Sequence, residues 1–201
     1  MAIKDQSLST WHINDHLADY EIARSGFFTL IVNDIDNIVK ATYSGESAEG
    51  AADSDKIANA QDYLRLNVLN TKVPHFTVAT HEIRRGNEVV KFAGIPTFDE
   101  GEIVVDDVVG LDTKAILMAW QNLTYNIHTR KGGRMKDYKK KCTLVEYTQD
   151  YEPIRQWTLY GCFPTGLSED AFDRTNDGPR KITMPISYDR AVPETFGKVG
   201  A

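Results

Sequence analysis

The chain has 201 residues, of which 41% are hydrophobic and 26% charged, and its formal net charge is −6. This composition is close to that of ordinary globular proteins, so a core can form and we expect a folded chain rather than a globally disordered one. The acidic balance argues against binding of nucleic acid by charge attraction alone. No apolar run approaches about 18 residues, and residues 1–16 lack the apolar stretch of a signal peptide, so we expect a soluble protein.

The N-terminal part of the chain combines one strand pattern with two polar segments. Residues 8–24 have a weak helical rhythm that includes Trp11, and we interpret residues 1–26 as an N-terminal arm. The segment from Phe27 to Val32 is rich in β-branched and aromatic residues and predicts a strand. Residues 44–62 hold five carboxylates against one lysine. Such a composition cannot bury enough apolar surface to order itself, so it predicts a long acidic loop.

Strand patterns dominate the next part of the chain. Residues 64–68 (LRLNV) alternate apolar and polar and predict a half-buried strand. Residues 75–83 are also extended in pattern, and they lead to the pair Gly86-Asn87, which suits a tight hairpin turn before a second strand. Residues 102–109 (EIVVDDVV) predict a further strand.

One helix is well marked. Asp112 or Thr113 can cap it, because either side chain can accept from a free backbone N–H of the first turn. The helix is expected to run to about Asn126. Its apolar face, with a period of about 3.6 residues, is formed by Ile116, Leu117, Trp120 and Leu123.

A basic segment and three strands complete the chain. Residues 128–141 hold seven cations and one anion, and we expect a flexible loop that turns at Gly132-Gly133. The remaining strand patterns cover residues 142–148, 155–163 and 181–188, with Pro153 in the turn between the first two. Residues 194–201 are interpreted as a loose or extended tail.

The element pattern favours a mainly β fold. Seven or eight strands with a single helix differ from the alternation of strands and helices in a parallel-sheet enzyme. We therefore expect residues 27–193 to form an antiparallel β-sandwich or barrel with one packed α-helix. The expected core residues of the helix and strands are Leu117, Trp120, Trp157, Leu159 and Phe163.

The sequence offers no catalytic, metal or cofactor site. His12 and His16 are four residues apart, near Asp15 and Asp19, but H-E-x-x-H and a third ligand are missing. We interpret both histidines as surface residues. The same interpretation applies to the histidines elsewhere in the chain, which are His75, His81 and His128.

Nucleophilic catalysis and phosphate binding also lack their motifs. Neither G-x-S-x-G nor G-x-x-x-x-G-K-[ST] is present. Cys142 and Cys162 lie in strand patterns without metal-ligand spacing, so we expect two small, reduced, buried side chains. We expect a protein without enzymatic activity or cofactor.

An ordered series of motifs resembles the tail tube family of contractile-tailed bacteriophages, which is related to type VI secretion tube proteins. The motif RQWTLYGCFP at residues 155–164 resembles the family's R-x-W-x-L-x-G/N-x-F-P strand, and CTLVEYTQDYEP precedes it as in the family. The segments EIVVDD and LDTKAILMAWQNL resemble its strand-to-helix unit, and KITMPISYD its closing strand. The resemblance covers residues 63–190. The N-terminal arm and the acidic loop are longer than we expect for a minimal tube subunit.

This resemblance implies a structural role in a virion tail. Subunits of this family give strands to a barrel shared within a hexameric ring, and stacked rings form the tube through which DNA is ejected. The implied partners are other copies of the chain, with sheath, baseplate and tail terminator proteins. Genomic DNA would pass without tight binding, and no membrane is involved.

Charge patterns suggest which residues serve such an assembly. Residues 99–112 hold six carboxylates and no cation, whereas residues 128–141 have a net charge of +6. We hypothesise that subunits or rings meet through cations and anions: Arg130, Lys131, Arg134, Lys136, Lys139, Lys140 and Lys141, with Glu46, Glu49, Asp53 and Asp55. Candidates for the lining of an acidic, low-friction lumen are Asp99, Glu102, Asp106, Asp107 and Glu146.

Two groups of alternatives stay open. Within the same architecture, the chain can be the tube subunit of a tailocin or type VI secretion system, or the tube initiator of a baseplate. In a different class, it can be a soluble nucleic-acid-binding module that uses the basic residues 128–141 with Tyr138. Hollow filaments or rings would favour the first group, and a stable monomer that retards DNA would favour the second.

Overall fold

The computed structural model describes residues 23–43, 59–108, 113–175 and 178–195. Most of the predicted helix at residues 8–24, most of the acidic loop and residues 196–201 lie outside these ranges. The helices are α1 (Ile35–Tyr43), α2 (Ala60–Asn67), α3 (Thr113–Thr124) and α4 (Met135–Tyr138). The strands are β1 (Phe28–Val32), β2 (Val68–Thr71), β3 (Phe76–Arg85), β4 (Glu88–Phe98), β5 (Gly101–Asp106), β6 (Tyr125–Asn126), β7 (Lys131–Gly132), β8 (Lys140–Tyr147), β9 (Pro153–Pro164), β10 (Ser168–Glu169), β11 (Lys181–Ser187) and β12 (Arg190–Thr195).

One antiparallel sheet forms the body of the molecule, which confirms the predicted mainly β fold. Its strands follow the order β1-β8-β9-β11-β5-β2, with β10 beside β11 and β12 beside β9. Although β1 and β2 lie at opposite ends of this order, they contact each other, so the sheet curls around its core. In the described residues, however, β1 and β2 do not pair, and the curled sheet remains open. Pairing of β12 with β9 continues past Pro193.

Apolar residues of the sheet and helices fill one core. Alternation along β5 buries Ile103 and Val105, and the same alternation along β11 buries Ile182, Met184 and Ile186. Of the predicted core residues, Leu117, Trp120 and Leu159 are buried as expected, whereas Trp157 and Phe163 are only partly buried.

The expectation of a single helix is wrong, because four helices occur in the described residues. The predicted strand at 64–68 is helix α2, which also begins inside the predicted acidic loop. Ala60, Leu64 and Asn67 are buried with helical spacing. The Asp36 carboxylate accepts from the Gln61 N–H at 2.9 Å, which satisfies a donor of the first turn. This contact spans 25 residues, so the local alternation of LRLNV could not reveal it.

Helix α1 had no counterpart in the sequence analysis. Its buried residues, Ile35, Ile38 and Val39, have helical spacing, but β-branched side chains favour strands when local propensity alone is considered. The helix forms because it packs against α2 and α3. Asn67 of α2 in turn donates to the buried Thr113 hydroxyl at the start of α3, at 3.0 Å.

The basic segment is not the flexible loop that we expected from the sequence. It contains β7, α4 and the start of β8, and its tight turn lies at 127–130, where Arg130 has φ of 55°. The Gly133 N–H donates to the Thr124 carbonyl at 2.9 Å. A Cβ at Gly133 would lie 1.7 Å from the Leu123 carbonyl oxygen, so this glycine permits a close backbone approach rather than a turn.

Candidate assembly surfaces

A long hairpin projects from the sheet. Strands β3 and β4 pair from Phe76↔Phe98 to Arg85↔Glu88, and the predicted turn at Gly86-Asn87 is confirmed, with φ of 63° at Gly86. We call residues 76–98 the hairpin arm. Both strands make extensive contacts only with each other, so the arm has no layer of the body beneath it. A two-stranded ribbon without such support is at best marginally stable in water.

The outer half of the hairpin arm has two different faces. Paired residues His81↔Phe92 and Ile83↔Val90 form its apolar face, with exposures of 48% for Phe92 and Ile83 and 39% for Val90. The opposite face carries the Glu82–Lys91 ion pair at 3.1 Å. Large apolar side chains displayed in this way commonly mark a surface that another molecule covers.

Apolar side chains continue towards the base of the hairpin arm. Ile95 is 78% exposed and Phe76 is 59% exposed. The hairpin was predicted from the sequence, but this apolar surface was not. Its signal was the absence of strict alternation in EVVKFAGIPTF, since an isolated strand with one solvated face should place polar residues at alternate positions.

A groove lies between the two ends of the sheet. It has a volume of about 870 Å³, and its walls include Phe28 at the start of β1, Leu69 and Val73 around β2, and Trp157 of β9. In the described residues, β1 pairs only with β8 and β2 only with β5. The other edge of each strand therefore presents backbone donors and acceptors to which a further strand could bind.

The basic segment divides into engaged and exposed cations. Lys139 Nζ donates to both carboxylate oxygens of Asp189 at 2.7 Å, and Lys140 Nζ lies 3.9 Å from an Asp34 carboxylate oxygen. Lys141 lies over the Tyr160 ring, 5.6 Å from its centroid. Lys141 is nevertheless exposed, as are Arg130, Lys131, Arg134 and Lys136. Their proposed acidic counterparts, Glu46, Glu49, Asp53 and Asp55, lie outside the described residues.

The five candidate lumen residues do not form one cluster. Glu102 and Asp106 share a face of β5, opposite Ile103 and Val105. The remaining three have partners elsewhere: Asp99 contacts the His75 imidazole, and ion pairs join Asp107 to Arg180 at 3.6 Å and Glu146 to Arg155 at 3.4 Å. Glu146 and Arg155 line the groove rather than the surface around β5.

His12 and His16 lie outside the described residues, which contain three histidines and both cysteines. Across the described parts of the chain, His, Cys, Asp and Glu side chains form no group of three that could hold a metal ion. Cys142 and Cys162 are buried, as predicted. A hydrogen bond with Cys162, and then burial, raise the pKa of Cys142 well above its ordinary value, so its nucleophilic thiolate is disfavoured. No described helix is long and apolar enough to cross a membrane.

Helix α3 links the core to the basic segment. The indole Nε1–H of the fully buried Trp120 donates to the Tyr138 carbonyl at 3.0 Å, at the end of α4. The Tyr138 ring packs edge-on against Phe163, with centroids 5.5 Å apart. The body of the protein therefore fixes the end of α4.

Solved structures of tube-containing assemblies share this fold. One similar chain, from a sheath–tube complex of an extracellular contractile injection system (PVC) in the extended state, has 17% identity and a TM-score of 0.60, covering 94% of this chain and 100% of that one. A chain from the tube terminating cap of the anti-feeding prophage has 14% identity and a TM-score of 0.59, covering 98% and 100%.

A third similar chain comes from the sheath/tube terminator of the PVC system. It has 17% identity and a TM-score of 0.57, covering 88% of this chain and 98% of that one. The sequence matches no protein-family model and no curated protein. These likenesses confirm the resemblance at the level of the fold: the chain has the fold of proteins found in contractile injection assemblies.

Proposed function

We propose that the chain is a structural subunit of a phage tail tube, in which hexameric rings stack into a conduit for DNA ejection. The observation that carries this proposal is the hairpin arm, whose apolar face has no partner within the described chain. The fold likeness to chains of tube-containing complexes supports it. Sheath, baseplate and terminator proteins are the further partners that we propose.

Self-assembly would satisfy both exposed features of the subunit. A strand from a neighbouring copy could pair with the free edge of β1 or β2, and such pairing would close strands of several copies into a shared barrel. A head-to-tail contact of this kind generates a ring when its rotation closes. The apolar face of the hairpin arm would then be buried on another copy.

The charge of the subunit suits a conduit that does not hold DNA. The net charge is −6, and each phosphate contact by a cation would add salt-dependent affinity that opposes movement. The proposed lumen would be lined by some of the acidic candidates; Glu102 and Asp106 are the pair that share one surface.

A second candidate function is a tube subunit or cap of an extracellular contractile injection system. The similar chains from the PVC and anti-feeding prophage assemblies favour it. The two candidates differ in what the complete particle contains. Purified particles with nuclease-protected genomic DNA would support the phage tail, and particles of sheath and tube alone would support the injection system.

The nucleic-acid-binding alternative has less support. Lys139 and Lys140 face carboxylates of the same chain, and Lys141 lies over Tyr160. Fewer cations of the basic segment therefore remain for phosphate groups than the sequence indicates.

We predict that charge reversal of the exposed part of the basic segment slows assembly. A Lys131→Glu, Arg134→Glu, Lys136→Glu variant should polymerise about tenfold more slowly at low salt, because complementary charges accelerate encounter. Light scattering during polymerisation measures the rate. Arg130 is left unchanged because its φ of 55° is unfavourable for most side chains.

A charge-matched control separates this effect from net charge. Reversal of the exposed Lys40, Arg65 and Arg174, outside the basic segment, should change the rate less than threefold. The difference between the two triple variants should shrink at about 1 M salt, where charges are screened within about 3 Å. Equal polymerisation rates for the two variants at low salt would show that the basic segment is not part of the interface.

Electron microscopy of the concentrated protein tests the proposed function. Rings or hollow tubes support it, and a monomer at every concentration contradicts it.

A further inference from the structure

The hairpin arm joins the body at an interruption of one long antiparallel ladder. One segment of the chain contains β2 followed by β3, and the next contains β4 followed by β5. The two segments pair in the arm through β3 and β4, and in the body through β2 and β5. Between the two pairings, the ladder continues only through two long backbone bonds: the Lys72 N–H to the Glu102 carbonyl and the Asp99 N–H to the His75 carbonyl, both at 3.3 Å. Pro74 lies between them and has no N–H to donate. We call residues 72–75 and 99–100 the joint.

A side chain of the body reaches the joint. Tyr188 follows β11, is 7% exposed and belongs to the core. Its ring packs against Phe98 at the base of the hairpin arm, with centroids 6.0 Å apart. The His75 backbone lies close enough to the phenol to lower the pKa of Tyr188, which opposes the effect of burial, so Tyr188 lies near both strands that enter the arm.

The surroundings of Tyr188 hold it in place. A Cβ at Gly101 would lie 3.4 Å from Tyr188 Cε1 and 2.8 Å from Ile186 Cγ1, so the start of β5 packs closely around the ring. Burial, and then the nearby Cys162 and Asp99, raise the pKa of Tyr188 above its ordinary value, so the phenol stays neutral at physiological pH. The His75 imidazole contacts the Asp99 carboxylate, so these two side chains join the two sides of the joint directly.

We propose that Tyr188 is a positioning residue that fixes the direction of the hairpin arm relative to the body. That this direction serves docking of the arm on a second copy of the chain rests on the proposed function. The contacts at the joint themselves lie within one chain.

A small rotation at the joint would displace the tip of the hairpin arm by a much larger distance than it would displace the base. The arm strand β3 has 10 residues. At about 3.3 Å per residue, β3 extends about 33 Å from the joint. A rotation of about 20° at the joint would move the tip by about 11 Å, which exceeds the spacing of about 4.8 Å between neighbouring strands. An arm that rotated freely by that angle would miss its docking register.

Distances between spin labels on the arm and the body test this inference. Labels at Glu88→Cys near the tip of the arm and at the exposed Met118→Cys of α3 report the direction of the arm. The native Cys142 and Cys162 are 0% exposed, so labelling is confined to the new cysteines. Pulsed electron paramagnetic resonance on the unassembled chain, isolated by size exclusion, gives the distance distribution.

The variant Tyr188→Phe keeps the ring but removes the phenol oxygen. We expect its distance distribution to be at least twofold broader than that of the parent, at an unchanged circular dichroism spectrum. Tyr151→Phe, in the turn between β8 and β9, is the matched control, because its ring packs on Phe27 away from the joint. It should leave the distribution unchanged.

A second variant keeps the inference testable if Tyr188→Phe fails to fold. Phe98→Leu removes the ring contact from the side of the arm and should also broaden the distribution at least twofold. An unchanged width in the folded Tyr188→Phe chain, or in Phe98→Leu if that chain alone folds, overturns the inference. Because the measurement uses unassembled protein, broadening in a chain that never forms tubes would support the joint while contradicting the proposed function.

Discussion

Replacing Ile83 and Phe92 together by Asp should prevent assembly while leaving the subunit folded. Both side chains lie on the apolar face of the hairpin arm and are 48% exposed. Because only about half of each side chain remains to be buried against another copy, each should contribute about 0.7–1.5 kcal/mol. Loss of both should therefore raise the concentration needed for assembly by at least about tenfold, since about 1.4 kcal/mol corresponds to a factor of ten. Sedimentation across a concentration series measures this threshold.

The opposite face of the same strands provides a matched control. Glu82→Gln with Lys91→Gln removes the exposed ion pair and leaves the net charge unchanged. Because such pairs contribute only about 0–1 kcal/mol, the threshold should change less than about fivefold. The thermal midpoint of both unassembled double variants should match the parent, since the arm lies outside the core. Assembly of the Ile83/Phe92 variant at the parent's concentration would show that this face is not an interface.

Trp120→Ala should have the largest effect on the stability of the subunit. Trp120 is fully buried, and its removal leaves a cavity among α3, β9 and α4. We expect a loss of about 3–5 kcal/mol in the free energy of unfolding. Urea unfolding of the unassembled chain measures it, with the midpoint lowered and the slope unchanged.

Trp120→Phe isolates the hydrogen bond to the Tyr138 carbonyl from the bulk of the side chain. It should cost about 1–3 kcal/mol, because that half-buried carbonyl loses its donor. The matched change Trp157→Phe, in the open groove, should cost less than about 1.5 kcal/mol. Equal losses at the two positions would contradict the role of Trp120 as the link between the core and α4.

Local patterns predicted those elements whose structure is decided locally. The Gly86-Asn87 turn and helix α3 follow from positive φ at the turn and from apolar spacing on the helix. Helices α1 and α2 were not predicted, because their formation depends on packing and on the Asp36–Gln61 and Asn67–Thr113 hydrogen bonds. Contacts between residues so far apart in the sequence cannot be recognised from the pattern of neighbouring residues.

The candidate surfaces were predictable to a smaller extent. Charge counts identified the basic segment, but not that Lys139 and Lys140 face Asp189 and Asp34. Those partners are distant in sequence and are brought close by the sheet. The hairpin was predicted from its turn, whereas its projection from the body depends on the joint, where pairing breaks near Pro74.

Under the proposed function, copies of this chain cover one another's apolar hairpin arms around a central hole. Cryo-electron microscopy of the concentrated protein tests it most directly. We predict stacked rings with six-fold symmetry, an open axial channel, and density for residues 81–92 seated on a neighbouring copy. Particles that remain single subunits at every concentration, with residues 81–92 exposed to solvent, would contradict the claim.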